Sequence, residues 1–199
     1  MATLFGHVAI ASSATKIGAN KFPKSLYLFV LFMSALLSIL PDFDVVSFKL
    51  GIAYGAEWGH RGATHSIAFG IICSLIFSLI TMLMYKIRSF RILLIIFIIY
   101  TVSILSHTFL DMLTNGGLGC AVLWPFDQAR YFFPVTPIPV SPIGIAPSLI
   151  FVIAWEFFLI FPLTAISHTL KGQLGPKTKY IFVSFYSIVL IIAYWIRLK

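Results

Sequence analysis

His107 and Asp111 stand four residues apart in SHTFLDM, at the end of a long apolar stretch. On a helix that spacing places an imidazole and a carboxylate on one face, a pair suited to ligating a metal. Other groups of the same chemistry fall at the ends of other apolar segments: His7, then Asp42 and Asp44 in LPDFD, then His60, Arg61 and His65 in HRGATHS. In a chain with 10% charged residues this concentration reads as one metal centre at a membrane surface. Mixed imidazole and carboxylate ligation suits a divalent cation, zinc before manganese.

Each residue has a functional and a plainer reading. His107 and Asp111 both ligate, with Asp111 able to bridge two metals; the plainer reading has His107 capping a helix and Asp111 facing water or pairing with Arg61. In an extended segment Asp42 and Asp44 point to one side, so that one binds metal and the other orients a ligand; otherwise both lie at a solvated helix end. His65 enters from a helix start, and Gly62 permits a turn that brings in His60, five residues earlier. Arg61 either grips a phosphate or carboxylate bidentately or snorkels to the interface. Thr64 and Ser66 are helix-capping candidates, and Glu57 reads as solvated. Trp124, Phe126 and Tyr131 suit an interfacial aromatic belt or a lid over lipid, while Asp127 and Arg130 are a candidate pair. Glu156, deep in an apolar stretch, is a functional candidate by default or a carboxyl paired with a hydroxyl, at a depth away from the cluster. His168 reads as interfacial.

The elements that position these groups are apolar helices. The chain has 199 residues, 60% of them hydrophobic, and a mean hydropathy of +1.01. The fold class expected is all-α, a polytopic membrane bundle of about six transmembrane or membrane-embedded helices, forming a single integral membrane domain over residues 1–199. The segments are residues 4–20, 26–40, 66–85, 92–112, 148–167 (with a kink at Pro162) and 180–196, with extracytoplasmic loops near 41–65 and 113–147. Six prolines in the second loop exclude a continuous helix there. Placing the 21–25, 86–91 and 171–179 turns in the cytoplasm, with Lys16 on the same side, puts nine of the 14 Lys and Arg residues inside and leaves Lys49, Arg61, Arg130, Arg197 and Lys199 outside. The candidate site then faces the extracytoplasmic side, and His7 joins it if residues 4–20 span. No basic leader precedes the first apolar stretch, so an uncleaved chain is expected. The net charge of +8 serves topology and anionic lipid; no nucleic-acid partner is expected. Cys73 and Cys120 are expected to be reduced.

Taken together, the GH at 6–7, LPDFD at 40–44, HRGATHS at 60–66, SHTFLDMLTNGG at 106–117 and WPF at 124–126 resemble the inner-membrane YdjM/YbcI family, over most of the chain up to about residue 145. The resemblance implies a bacterial cytoplasmic (inner) membrane protein with a metal-dependent hydrolase activity. A more distant likeness, to zinc-dependent phospholipase C, implies ligands at His7, Asp42 or Asp44, His65, His107 and Asp111. The chain lacks that family's later His and HxxxE pair; Val152 stands four residues before Glu156. One or two metal ions are therefore expected, not three.

The expected function is hydrolysis of a membrane amphiphile, a phosphate ester such as a phospholipid or polyprenyl phosphate. Asp42, Asp44 or His60 takes a proton from water, and Arg61 stabilises developing negative charge. The alternatives are a non-catalytic, metal-stabilised membrane scaffold and a small transporter.

Overall fold

The computed structural model describes residues 3–141 and 148–157. The chain is an all-α helical bundle. It begins with α1 (Leu4–Gly18) and α2 (Lys24–Ile39), continues through a 3-10 helix (Leu40–Val45) into the short α3 (Val46–Lys49), and crosses a loop to a second 3-10 turn (Ala63–His65). Then come α4 (Ile67–Met84) and α5 (Phe90–Met112). A short apolar helix, α6 (Ser148–Phe157), follows the proline-rich loop.

Among the described residues, three helical segments are long and apolar enough to cross a membrane: Lys24–Lys49, Ile67–Met84 and Phe90–Met112. They match the second, third and fourth expected segments. The first, α1, has 15 residues, short for a span. Of the expected fifth segment, 148–157 is helical; its continuation, the kink at Pro162, His168, the 171–179 loop and the 180–196 segment lie outside the described residues.

α5 is the central helix. It packs against α1, α2 and α4, and α1 packs against α2. The core joins Val30, Met33 and Leu37 of α2 to Ile96, Tyr100 and Ile104 of α5. Lipid tails are as apolar as these side chains, so close approach and interhelical hydrogen bonds must supply much of the association. Gly70 of α4 permits such an approach: a Cβ there would lie 2.6 Å from a methyl of Leu105 on α5. Across other interfaces Thr15 donates to Ser34 (2.9 Å), and Thr81 lies 3.0 Å from the Tyr100 hydroxyl.

Three local expectations are corrected. LPDFD is not extended. Pro41, at the start of the 3-10 helix, ends α2 without stopping the helical path, and Asp42 and Asp44 take different partners. Thr64 does not cap α4; Ser66 does, accepting from the Phe69 amide at 3.0 Å. Asp127 and Arg130 do not pair: Asp127 accepts from the Ala129 amide and the Tyr131 hydroxyl, while Arg130 donates to the carbonyls of Tyr54, Ala56 and His60. Cys73 and Cys120 are both free.

Candidate metal centre

Four ends of the bundle meet at one place. The turn of α5 at its C-terminal end brings His107 and Asp111, the 3-10 helix after α2 brings Asp42 and Asp44, the segment before α4 brings His60, Arg61 and His65, and α1 brings His7. His7, Arg61, His65, His107 and Asp111 are fully or almost fully buried. The Asp42 side chain is the more open one, 19% exposed.

Asp42, His65, His107 and Asp111 form the inner group, with one ligand atom of each lying within 4.8 Å of the others. His65 Nε2 and His107 Nε2 are 3.2 Å apart. Asp42 Oδ1 is 3.3 Å from His107 Nε2 and 3.8 Å from His65 Nε2, while Asp111 Oδ2 is 3.5 Å from His65 Nε2. Buried Asp42 Oδ1 has no hydrogen-bond partner. Asp42, Asp44 and His60 make a second, overlapping group.

The outer nitrogens explain the inward aim of the rings. His107 Nδ1 donates to the Ser38 carbonyl at 2.7 Å, which leaves the Nε2 lone pair facing inward. His65 Nδ1 lies 3.2 Å from Asp44 Oδ2. The Asp44 carboxylate also accepts from Thr64 Oγ1 (2.7 Å) and the Arg61 amide (3.0 Å), and its Oδ1 lies 2.6 Å from His60 Nδ1. Such carboxylate and carbonyl partners fix the tautomer of metal-binding histidines.

These residues fit a divalent cation. Two imidazoles whose outer nitrogens are committed place their inner nitrogens at roughly the 3.3 Å separation that tetrahedral zinc ligation requires. Two carboxylates at the same point supply the charge to balance it. His7 adds a buried imidazole with neither nitrogen hydrogen-bonded. Its ring stacks on His107 with centroids 3.8 Å apart, and its Nε2 is 4.0 Å from Asp111 Oδ1.

Arg61 is buried, not snorkelled. Its Nε donates to Asp111 Oδ2 (3.0 Å), and its terminal nitrogens donate to the Gly116 carbonyl (2.8 Å) and Thr114 Oγ1 (2.9 Å). Its φ of 62° is left-handed, a conformation uncommon for a residue with a Cβ. Asp44 holds its amide and the Ala121 amide donates to its carbonyl, so the backbone turn is fixed from both sides. Gly62 follows because no Cβ fits: one there would lie 2.1 Å from the Glu57 carbonyl oxygen. This turn sends the His60 ring toward Asp44 and the guanidinium toward Asp111.

All eight expected site residues thus lie at one locus, with Asp44, His60 and Arg61 around the inner ligand group. Sequence reasoning missed Ser38, Thr114 and Gly116, whose roles run through a hydroxyl or backbone carbonyls. Only Thr114 left a helical-spacing clue, three residues beyond Asp111.

His65 makes the metal-free centre sensitive to pH. Burial opposes its charge, but hydrogen bonding to Asp111 and Asp44 outweighs that and raises it to about 9. Since this lies above the ordinary 6.5, protonated His65 favours the folded metal-free protein fully below pH 6.5, and that contribution is lost as pH rises through about 9. A metal must displace the same proton. Zinc affinity, followed with a competing chelator, is expected to rise by about tenfold per pH unit through the neutral range and to flatten above pH 9.

Asp44→Asn keeps the shape but weakens the acceptor shared by His60 and His65. Zinc affinity is expected to fall by about 10- to 100-fold, with folding retained. The chelator titration checks this, and unchanged affinity would remove Asp44 from the role of orienting the ligands.

The fold and site together define a class: a multi-pass helical membrane protein with a buried His/Asp cluster able to chelate a divalent metal. The chain belongs to the YdjM inner membrane protein family, whose model matches residues 1–198. It is 37% identical over 147 residues to the inner membrane protein YbcI of Escherichia coli (strain K12), an alignment covering 73% of this chain and 80% of that protein. No solved structure matched the chain.

Proposed function

We propose that this chain is a metal-dependent hydrolase of the bacterial inner membrane, acting on a lipid-like phosphate ester such as a phospholipid or polyprenyl phosphate. The observation that carries the metal reading is the convergence of buried His65 Nε2 and His107 Nε2 with the unpartnered Asp42 Oδ1. His7, Asp42, Asp44, His65, His107 and Asp111 form the pool of ligands for one or two ions, zinc or else manganese. The chemistry such an ion supplies is polarisation of a phosphoryl or acyl oxygen and acidification of water.

The protein's own groups divide the remaining work. Asp42, the more open ligand, faces the approach to the site. His60, with Nδ1–H given to Asp44, keeps its other nitrogen as a base, and the Asp44 carboxylate stabilises the imidazolium that forms. Arg61 holds Asp111 in place; two of its N–H bonds beyond those to Asp111, Thr114 and Gly116 are what it could offer to developing negative charge. The apolar helices around the site favour an amphiphile. The charge distribution supports an extracytoplasmic site, within one integral domain of six membrane segments that includes α1 and the α6 segment.

The completeness of the inner shell favours a second reading. Four protein ligands, three of them fully buried, can satisfy zinc without leaving a position for substrate, as in a structural site. Metal content of the detergent-purified protein, followed by a phospholipid and polyprenyl phosphate hydrolysis screen with the bound metal, decides between them. One or two equivalents with turnover supports the hydrolase. Bound metal without turnover supports the scaffold, and a folded protein that takes up no metal overturns both.

A further inference from the structure

Glu156 is an acidic residue in the apolar α6, and its side chain is 2% exposed. Its carboxylate accepts from both the backbone amide and the hydroxyl of Thr3. Thr3 is the N-cap residue of α1, yet its hydroxyl makes no capping bond to that helix. The hydroxyl is turned toward Glu156 instead. The Thr3 carbonyl in turn accepts from the amides of Gly6 (3.1 Å) and His7 (3.4 Å). One uninterrupted series of hydrogen bonds therefore runs from Glu156 through Thr3 to the backbone of His7.

The placement is favourable on two further counts. A carboxylate at a helix N-terminus meets the positive end of the helix dipole and answers an amide that the helix leaves unpaired. The neighbouring Trp155 docks α6 independently: its indole donates to the Pro137 carbonyl at 2.7 Å, and its ring packs on a cluster joining Ile10 of α1 to Leu110 of α5. α6 is thus held against the bundle at the level where α1 and α5 present His7, His107 and Asp111.

We propose that Glu156 is a positioning residue that locks the first turn of α1 and so holds the His7 imidazole against His107 and Asp111. This rests on the metal-centre reading for its purpose, but not for its test. The sequence offered Glu156 as a functional candidate or a carboxyl paired with a hydroxyl, at a depth away from the cluster; the hydrogen bonds place it at the start of α1, one turn from His7.

The test follows burial of His7 in metal-free protein, by diethyl pyrocarbonate modification and peptide mass spectrometry, in detergent. In the parent His7 is expected to be protected. In Glu156→Ala its modification rate is expected to rise by about tenfold or more, as the first turn opens locally, while His107 stays protected. Glu156→Gln, which can still accept from the amide, is expected to restore most of the protection. Thr3→Val, which removes the hydroxyl alone and keeps the helix, is expected to fall between parent and Ala. His7 remaining as protected in Glu156→Ala as in the parent would overturn the proposal, and so would equal exposure in the Gln and Ala variants. Zinc titration of the same samples separates the two readings. A parent that binds no zinc but shows the labelling pattern loses the metal centre and keeps the lock; a parent that binds zinc with unaltered labelling in Glu156→Ala keeps the centre and loses the lock.

Discussion

Replacing His107 with alanine is expected to strip the metal from the purified protein and to lower hydrolysis by at least about a thousandfold. His107 is the member of the inner group with the most fixed geometry. Its Nδ1 is committed to the Ser38 carbonyl, and its Nε2 is within 3.3 Å of both His65 Nε2 and Asp42 Oδ1. The variant removes one neutral ligand and leaves the charges at Asp42, Asp111 and Arg61 as they were. It should therefore remain folded, which Asp111→Ala is less suited to do because it leaves the buried guanidinium without its carboxylate. Metal analysis, with the chromatographic profile in detergent as the folding control, reads the result. A well-folded His107→Ala protein that keeps the parent's metal content would show that the inner group does not hold the ion.

Arg61→Met is expected to carry the larger structural penalty, about 3–5 kcal/mol, seen as a lowered thermal midpoint or lost yield in detergent. The penalty comes from what stays behind: an Asp111 carboxylate that is buried and deprived of its 3.0 Å partner, together with the acceptors at Thr114 and Gly116. Lysine is expected to rescue little, because one ammonium cannot reproduce three donors aimed at Asp111, Thr114 and Gly116. Adding Asp111→Asn to Arg61→Met should recover part of the lost stability by removing the unpaired charge, while metal binding is expected to be lost with the Asp111 carboxylate. If Arg61→Met alone is as stable as the parent, the guanidinium is not the structural centre of this turn, and its free N–H groups become the better account of its presence. The sign of the double variant matters most: recovery in stability without recovery of metal ties Arg61 to Asp111 as a pair, whereas simple addition of the two losses would separate them.

These expectations bear on how function divides between the two readings of the centre. A hydrolase needs access, and the partial exposure of Asp42 gives it in a cluster otherwise sealed from solvent. The loop carrying Trp124 and Phe126 closes over the start of α4, with the Ile67 amide donating to the Val122 carbonyl at 3.0 Å. Phe126 is 94% exposed, as suits an aromatic side chain presented to a bilayer interface.

The sequence alone marked the three long apolar helices of the described residues and the histidines and aspartates that converge at their ends. Apolar runs bounded by Pro41, KIRSFR and NGGLG mark α2, α4 and α5 closely, because a span must satisfy its backbone within itself and so is written in local hydropathy. Histidine and aspartate at the ends of such runs are expensive unless partnered, which is why their types and spacing already pointed to a metal. Tertiary structure decided which atoms face inward. Asp42 and Asp44, two residues apart, part company because a 3-10 turn, not an extended segment, carries them, and no local pattern distinguished the two. Arg61 turned from a candidate surface anchor into a buried partner because a left-handed backbone angle is held by Asp44 and Ala121, groups 17 and 60 residues away in the chain. The link from Glu156 to Thr3 spans 153 residues. Such contacts depend on how helices pack against one another, and that is set by complementary surfaces from distant segments which no single stretch of sequence contains.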